Sequence, residues 1–182
     1  MKRTRSLLLC LFLAALLVFA YLNIPRTPSP DDVPVEPVRD HYTVEDIKAL
    51  KNTELFAEDT IEHIFFGTVS SKGKASGYHY DRVENTPGEI IEGTRTEEDE
   101  HGVYTAQVRV NGIDKTGNSG YSTFYPDSYS PQEVIDAINE AYANKEKLRG
   151  DLYAGLTEKG IEIDMALDKN GLIVTAYPIK EE

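Results

Sequence analysis

The sequence predicts an α+β domain in which N-terminal helices pack on an antiparallel β-sheet with one intervening helix. Two early segments carry apolar residues at helical spacing, several later segments alternate with period two, and one strong helix-start signal lies between the strand segments.

In order, "TVEDIKALKNTELF" opens with Thr43 as an N-cap candidate and places Val44, Ile47 and Leu50 on one face. "AEDTIEHIFFG" predicts a second short helix that stops near Gly67. From Gly67 to Gly77 the chain is small, polar and basic, which predicts a loop. "GEIIEGTRT" and "GVYTAQVRVNG" read as strands, the second alternating Tyr104, Ala106, Val108 and Val110 against Thr105, Gln107 and Arg109. "EEDEHG" between them is an acidic turn. A short aromatic strand in "GYSTFYPDSYS" ends at Pro126 and leads into a helix over "SPQEVIDAINEAYANKEKL". Ser130, Pro131 and Glu133 supply its cap, first turn and reciprocal capping partner. "GIEIDMALDKNGLIVTAYPI" closes the chain as two strands joined by "DKNG".

The N-terminus has a different character. Residues 1–24 carry Lys2, Arg3 and Arg5 ahead of an apolar run from Leu7 to Leu22, which fits a cleaved signal peptide or an uncleaved signal anchor. Both readings export the remainder, by secretion or on a membrane anchor. Residues 25–40 form a proline-rich linker, with five of the nine prolines between positions 25 and 37. Residues 41–182 are left for the domain. The single cysteine, Cys10, lies in the N-terminal segment, so the exported part can form neither a disulfide nor a cysteine-ligated metal site.

The formal charge of −12 falls to about −15 once Lys2, Arg3 and Arg5 are set aside. Such a surface repels polyanions, which excludes a protein that coats nucleic acid by general charge attraction. Any nucleic-acid role must rest on a local site. Between His63 and Arg82 the cations Lys72, Lys74 and Arg82 face only Asp81, and that locally basic stretch fits a small structured target such as a tRNA loop.

Two of the four histidines, His63 and His79, flank that stretch. Histidine exchanges protons near neutrality, so a pair can act as base and acid in one reaction. Cleavage of an RNA phosphodiester needs such a pair: the 2′-OH loses a proton while the departing 5′-oxygen gains one. A cation then stabilises charge on the phosphorane, and Lys72, Lys74 and Lys115 are candidates. The ordinary alternative for each residue is structural: a packed histidine, solvated lysines, a core tyrosine at position 177. No helical histidine pair with metal-ligand spacing is present, so no metal ligands are expected.

"HIFFG", then "GYHY", then the lysine of "DKTGNSGYSTF", then a terminal "TAYP" together resemble the EndoU family of endoribonucleases, most of all the bacterial EndoU domains of secreted antibacterial toxins. The resemblance covers roughly residues 58–180. It implies the barnase–EndoU–colicin–RelE type of nuclease fold, with His63 and His79 as the acid–base pair and His79 as the base. It further implies Lys115 as the catalytic cation and Ser122, Thr175 and Tyr177 as substrate-binding residues, with Lys72 and Lys74 steering RNA. Products would carry 2′,3′-cyclic phosphate and 5′-hydroxyl ends. The chemistry requires no cofactor, although a divalent ion such as Mn²⁺ or Ca²⁺ is compatible with it. Expected partners are RNA, a membrane through the N-terminal segment, and a cognate immunity protein; the chain is expected to be a monomer. The alternative of a different class is a non-catalytic cell-envelope binding domain with a degenerate nuclease site.

Overall fold

Thr43 closes a capping box with Asp46, and helix α1 follows over Val44–Lys48. The computed structural model describes residues 41–182. The signal or anchor segment (1–24) and the linker (25–40) lie outside the described residues. Helix α2 spans Thr60–Phe65 and buries Ile64 and Phe65. Gly67, with φ +72°, turns the chain out of it.

The expected loop from Gly67 to Gly77 is instead a small hairpin. Strand β1 (Thr68–Val69) pairs antiparallel with β2 (Ala75–Ser76) across a turn that carries Lys72 and Lys74. The turn closes when the Ser70 and Gly73 backbones hydrogen-bond, so two residues per strand suffice without an apolar pattern.

A second sheet follows from β3 (Gly88–Ile90), β4 (Tyr104–Val110), β5 (Ile113–Asp114) and β6 (Tyr121–Phe124), all antiparallel and all meeting at β4. The β4 alternation holds as its pattern requires: Tyr104, Ala106, Val108 and Val110 are buried. Tyr104 stacks on Phe124 at 4.9 Å, and Tyr78 meets Phe124 edge-on at 5.6 Å.

Helix α3 covers Pro131–Ala143, with Ser130 and Glu133 forming the expected capping box. It ends five residues before the "NKEKL" reading allows. Asn144 leaves helical geometry, and residues 146–156 form a hairpin of β7 (Glu146–Arg149) and β8 (Leu152–Leu156) turned at Gly150. The β7 residues are all exposed, so no alternation betrays the strand. Strands β9 (Glu162–Leu167) and β10 (Ile173–Pro178) complete a third sheet in the order β10-β9-β8-β7. The fold is therefore mixed, with several antiparallel sheets in place of the one sheet expected.

Val134, Ile135, Ile138 and Ala141 of α3 pack against Ile163, Met165 and Ala176 of the third sheet, together with Ile64 and Phe65 of α2. Each of the larger side chains (Val, Ile, Met and Phe) contributes about 1.5–3 kcal/mol on burial. Close packing of β8 on α3 needs Gly155, where a Cβ would stand 2.0 Å from the Ala141 carbonyl oxygen. The same core anchors α2 against β10.

Candidate active site

The site begins at the last turn of α2. A helix leaves its final carbonyls without intrahelical partners. Here the His63 carbonyl accepts from the Tyr78 N–H at 3.0 Å, and the Ile64 carbonyl accepts from the His79 N–H at 2.8 Å. The His79 carbonyl in turn accepts from the Tyr125 N–H at 2.9 Å, which ties the segment to the end of β6. Left-handed backbone at Gly77 (φ +75°) and Tyr78 (φ +62°) makes this return possible. At Gly77 a Cβ would stand 2.2 Å from the His63 carbonyl oxygen and 2.9 Å from its ring. Only glycine fits there.

This clamp brings the His63 and His79 rings to 6.3 Å, tilted by 52°. Both line a cleft of about 580 Å³, together with Lys115, Ser122, Thr175 and Tyr177. The cleft thus gathers six of the eight residues singled out from the sequence. Lys72 and Lys74 are exposed on the β1–β2 turn and are not among its lining residues. The cleft's cation is Lys115.

His79 is 5% exposed, and its Nδ1 lies 2.8 Å from the Thr123 carbonyl oxygen. A carbonyl can only accept, so Nδ1 carries the proton and the lone pair of the neutral ring sits on Nε2. Burial pushes this imidazole down to about 3; the Lys115 ammonium adds to the effect, and the Thr123 carbonyl opposes it. His63 is less buried. Burial first, and then Lys115, hold it below the ordinary 6.5, while its Nδ1 is 2.9 Å from the Thr68 hydroxyl.

Lys115 is half-buried, and desolvation lowers it to about 8, so it remains mainly cationic at neutral pH. Its Nζ donates to the Ser122 hydroxyl at 2.8 Å, and that hydroxyl donates to the Gly77 carbonyl at 2.7 Å. Ser122 therefore joins the lysine to the glycine that positions both histidines. The seven-residue interval between Lys115 and Ser122 closes through a tight turn at Gly117–Gly120, where Asn118 and Ser119 are left-handed.

Tyr177 stacks on His79, ring centres 5.5 Å apart at 22°. Asp164 stands opposite it across the β9–β10 pair, and burial first, then this carboxylate's charge, raises the phenol. Thr175 lies two residues earlier on the same face of β10. Sequence reasoning missed the Thr123 carbonyl, Asp164, Thr68 and the exact partner of Ser122. The backbone carbonyl has no sequence signal. Asp164 had one, because hairpin register pairs it with Tyr177.

Among the described residues Glu100, His101 and Glu181 hold potential metal-ligand atoms within 4.8 Å of one another, but none of them lines the cleft.

The bacterial EndoU nuclease family model matches residues 57–180. A Bacillus cereus protein named Toxin is 47% identical over 132 residues, which is 72% of this chain and 24% of that relative. The chain thus spans about a quarter of that relative's length. No solved structure matches.

Proposed function

The chain belongs to the bacterial EndoU nuclease family, and on that premise we propose that it is an exported endoribonuclease that cleaves single-stranded or loop RNA by transesterification. The observation that carries this reading is the His63–His79 pair at 6.3 Å with Lys115 in the same cleft. A transesterifying site needs a base, an acid and a fixed positive charge, and these three side chains can supply all of them.

In the proposed reaction the 2′-oxygen of a ribose attacks the adjacent phosphorus. Nε2 of His79 takes the 2′-OH proton, and the P–O5′ bond breaks as His63 protonates the departing oxygen. The products are a 2′,3′-cyclic phosphate and a free 5′-hydroxyl. Lys115 stands to stabilise the extra negative charge on the phosphorane. The low position of His79 keeps it unprotonated in the free chain, and the anionic phosphodiester would raise both imidazoles on binding. Thr175 and Tyr177 would contact the substrate, with the aromatic face of Tyr177 offering a stacking surface. The acidic body suits a defined loop, such as that of a tRNA, better than bulk RNA.

The B. cereus relative named Toxin supports a toxin role, in which a cognate immunity protein would be a partner. The N-terminal segment would deliver the domain outside the cytoplasm.

The test is cleavage of labelled RNA in EDTA by the full chain, by His63→Ala and by His79→Gln. Cutting by the parent, with each variant slower by about 10²-fold or more, is expected. Undiminished cutting by either variant would reject the assigned pair.

A further inference from the structure

Thr175 and Tyr177, which line the cleft, stand on the outer face of the third sheet. Cross-strand partners in an antiparallel sheet project to the same face. One row on this face reads Tyr177, Asp164, Ala154, Glu146; beside it runs Thr175, Ala166, Leu152, Arg149. The second row leads from a cleft residue on β10 to an arginine on the edge strand β7. A shift in register between Lys147 and Arg149 sets Arg149 opposite Leu152.

Arg149 is exposed and has no salt-bridge partner among the described residues. It acts electrostatically on both Tyr177 and Asp164, which puts its charge within reach of the cleft wall. Ala166 and Leu152 form an apolar floor between Thr175 and Arg149, suited to the face of a base. In an acidic chain whose cleft holds Lys115, a free cation on this face is the natural second anchor for a polyanion. Three strand-to-strand steps separate the backbones of β10 and β7, about 14 Å, so Arg149 stands at the far edge of this face from the cleft residues of β10. The acids on the face limit the grip. Asp164 and Glu146 both lie in the neighbouring row.

We propose that the Thr175–Ala166–Leu152–Arg149 row is a second nucleotide subsite, in which Arg149 holds a phosphate of the substrate strand beyond the one that is cut. This subsite rests on the ribonuclease reading above and extends it to substrates longer than a dinucleotide.

The test measures binding of single-stranded oligonucleotides with 2′-deoxy sugars, which this chemistry cannot cut. Arg149→Ala in the full chain should weaken binding of an octanucleotide about five- to tenfold, and its log Kd against log salt should lose about 0.7 of slope. Dinucleotide binding should not change. Arg149→Lys should keep most of the affinity and the salt slope, while Lys147→Ala, on the opposite face over Tyr153, should match the parent. Equal octanucleotide affinity for the parent and Arg149→Ala would overturn the subsite, as would equal weakening by Lys147→Ala. Arg149-dependent binding by a chain that cuts no RNA would leave the subsite standing and remove the ribonuclease reading instead.

Discussion

The rings of His63 and His79 stand 6.3 Å apart at 52°, and the last carbonyls of α2 set that separation. Those carbonyls receive the Tyr78 and His79 N–H groups, so the ring spacing is a backbone property that the side chains inherit. Both imidazoles lie below 6.5 in the free chain, His79 down to about 3. The proposed reaction needs His79 neutral and His63 protonated. kcat/KM should therefore fall on the alkaline side with a midpoint below 6.5. The midpoint for kcat should lie higher, because bound phosphodiester favours the imidazolium. Initial rates across pH 4 to 9 on a short RNA would test this, and a kcat/KM flat from pH 6 to 8 would contradict it.

Lys115, Ser122 and the Gly77 carbonyl form one chain of donors and acceptors. Ser122→Ala strands a buried carbonyl and should cost about 1–3 kcal/mol of stability, read by denaturant unfolding. Lys115→Ala should slow kcat by about 10²- to 10³-fold. After burial, Lys115 is what holds His63 down, so its removal should also move the alkaline limb of kcat/KM upward. An unmoved limb would place the lysine's charge elsewhere than on the histidines.

Gly77→Ala should be among the most damaging single-methyl changes in the chain. The added Cβ meets the His63 carbonyl oxygen at 2.2 Å on a left-handed backbone. Strain alone costs about 1–3 kcal/mol, and relief of the clash must displace His63. Lower stability together with a loss of kcat is the expected pair of results, whereas Gly73→Ala meets no neighbour and should spare kcat.

Stability should also depend on pH through His79. Its folded value of about 3 lies below the ordinary 6.5, so the unfolded chain binds more protons between those limits. The contribution is complete above 6.5 and is lost as pH falls toward 3, at up to about 1.4 kcal/mol per pH unit. Urea midpoints at several pH values, compared with His79→Gln, isolate the effect. Parallel pH curves for the two proteins would refute it.

His63, His79 and Lys115 were legible from the chemistry of an imidazole pair with a cation, whereas Ser122, Thr175 and Tyr177 were picked out only by their likeness to the EndoU motifs. His63 and His79 flank a glycine-rich turn, and Thr175 and Tyr177 share a strand face. The Lys115–Ser122 contact was hidden by the left-handed turn at Asn118 and Ser119, whose geometry residue spacing does not encode. The basic turn of Lys72 and Lys74 looked suited to phosphate, yet hairpin closure leaves both outside the cleft lining. Capping chemistry placed the start of α3 at Ser130. Its end was overrun because the charged residues of β7 fit an exposed helix as well as an exposed edge strand. That same strand carries Arg149.

The most direct measurement is the chemistry of the ends left on a single RNA that the full chain cuts, taken beside the same RNA with one 2′-deoxy sugar at the cut. Two imidazoles working on a ribose 2′-oxygen predict a 2′,3′-cyclic phosphate, a 5′-hydroxyl, and no cutting at the deoxy position. A 5′-phosphate product, or cleavage that ignores the missing 2′-oxygen, would contradict the account.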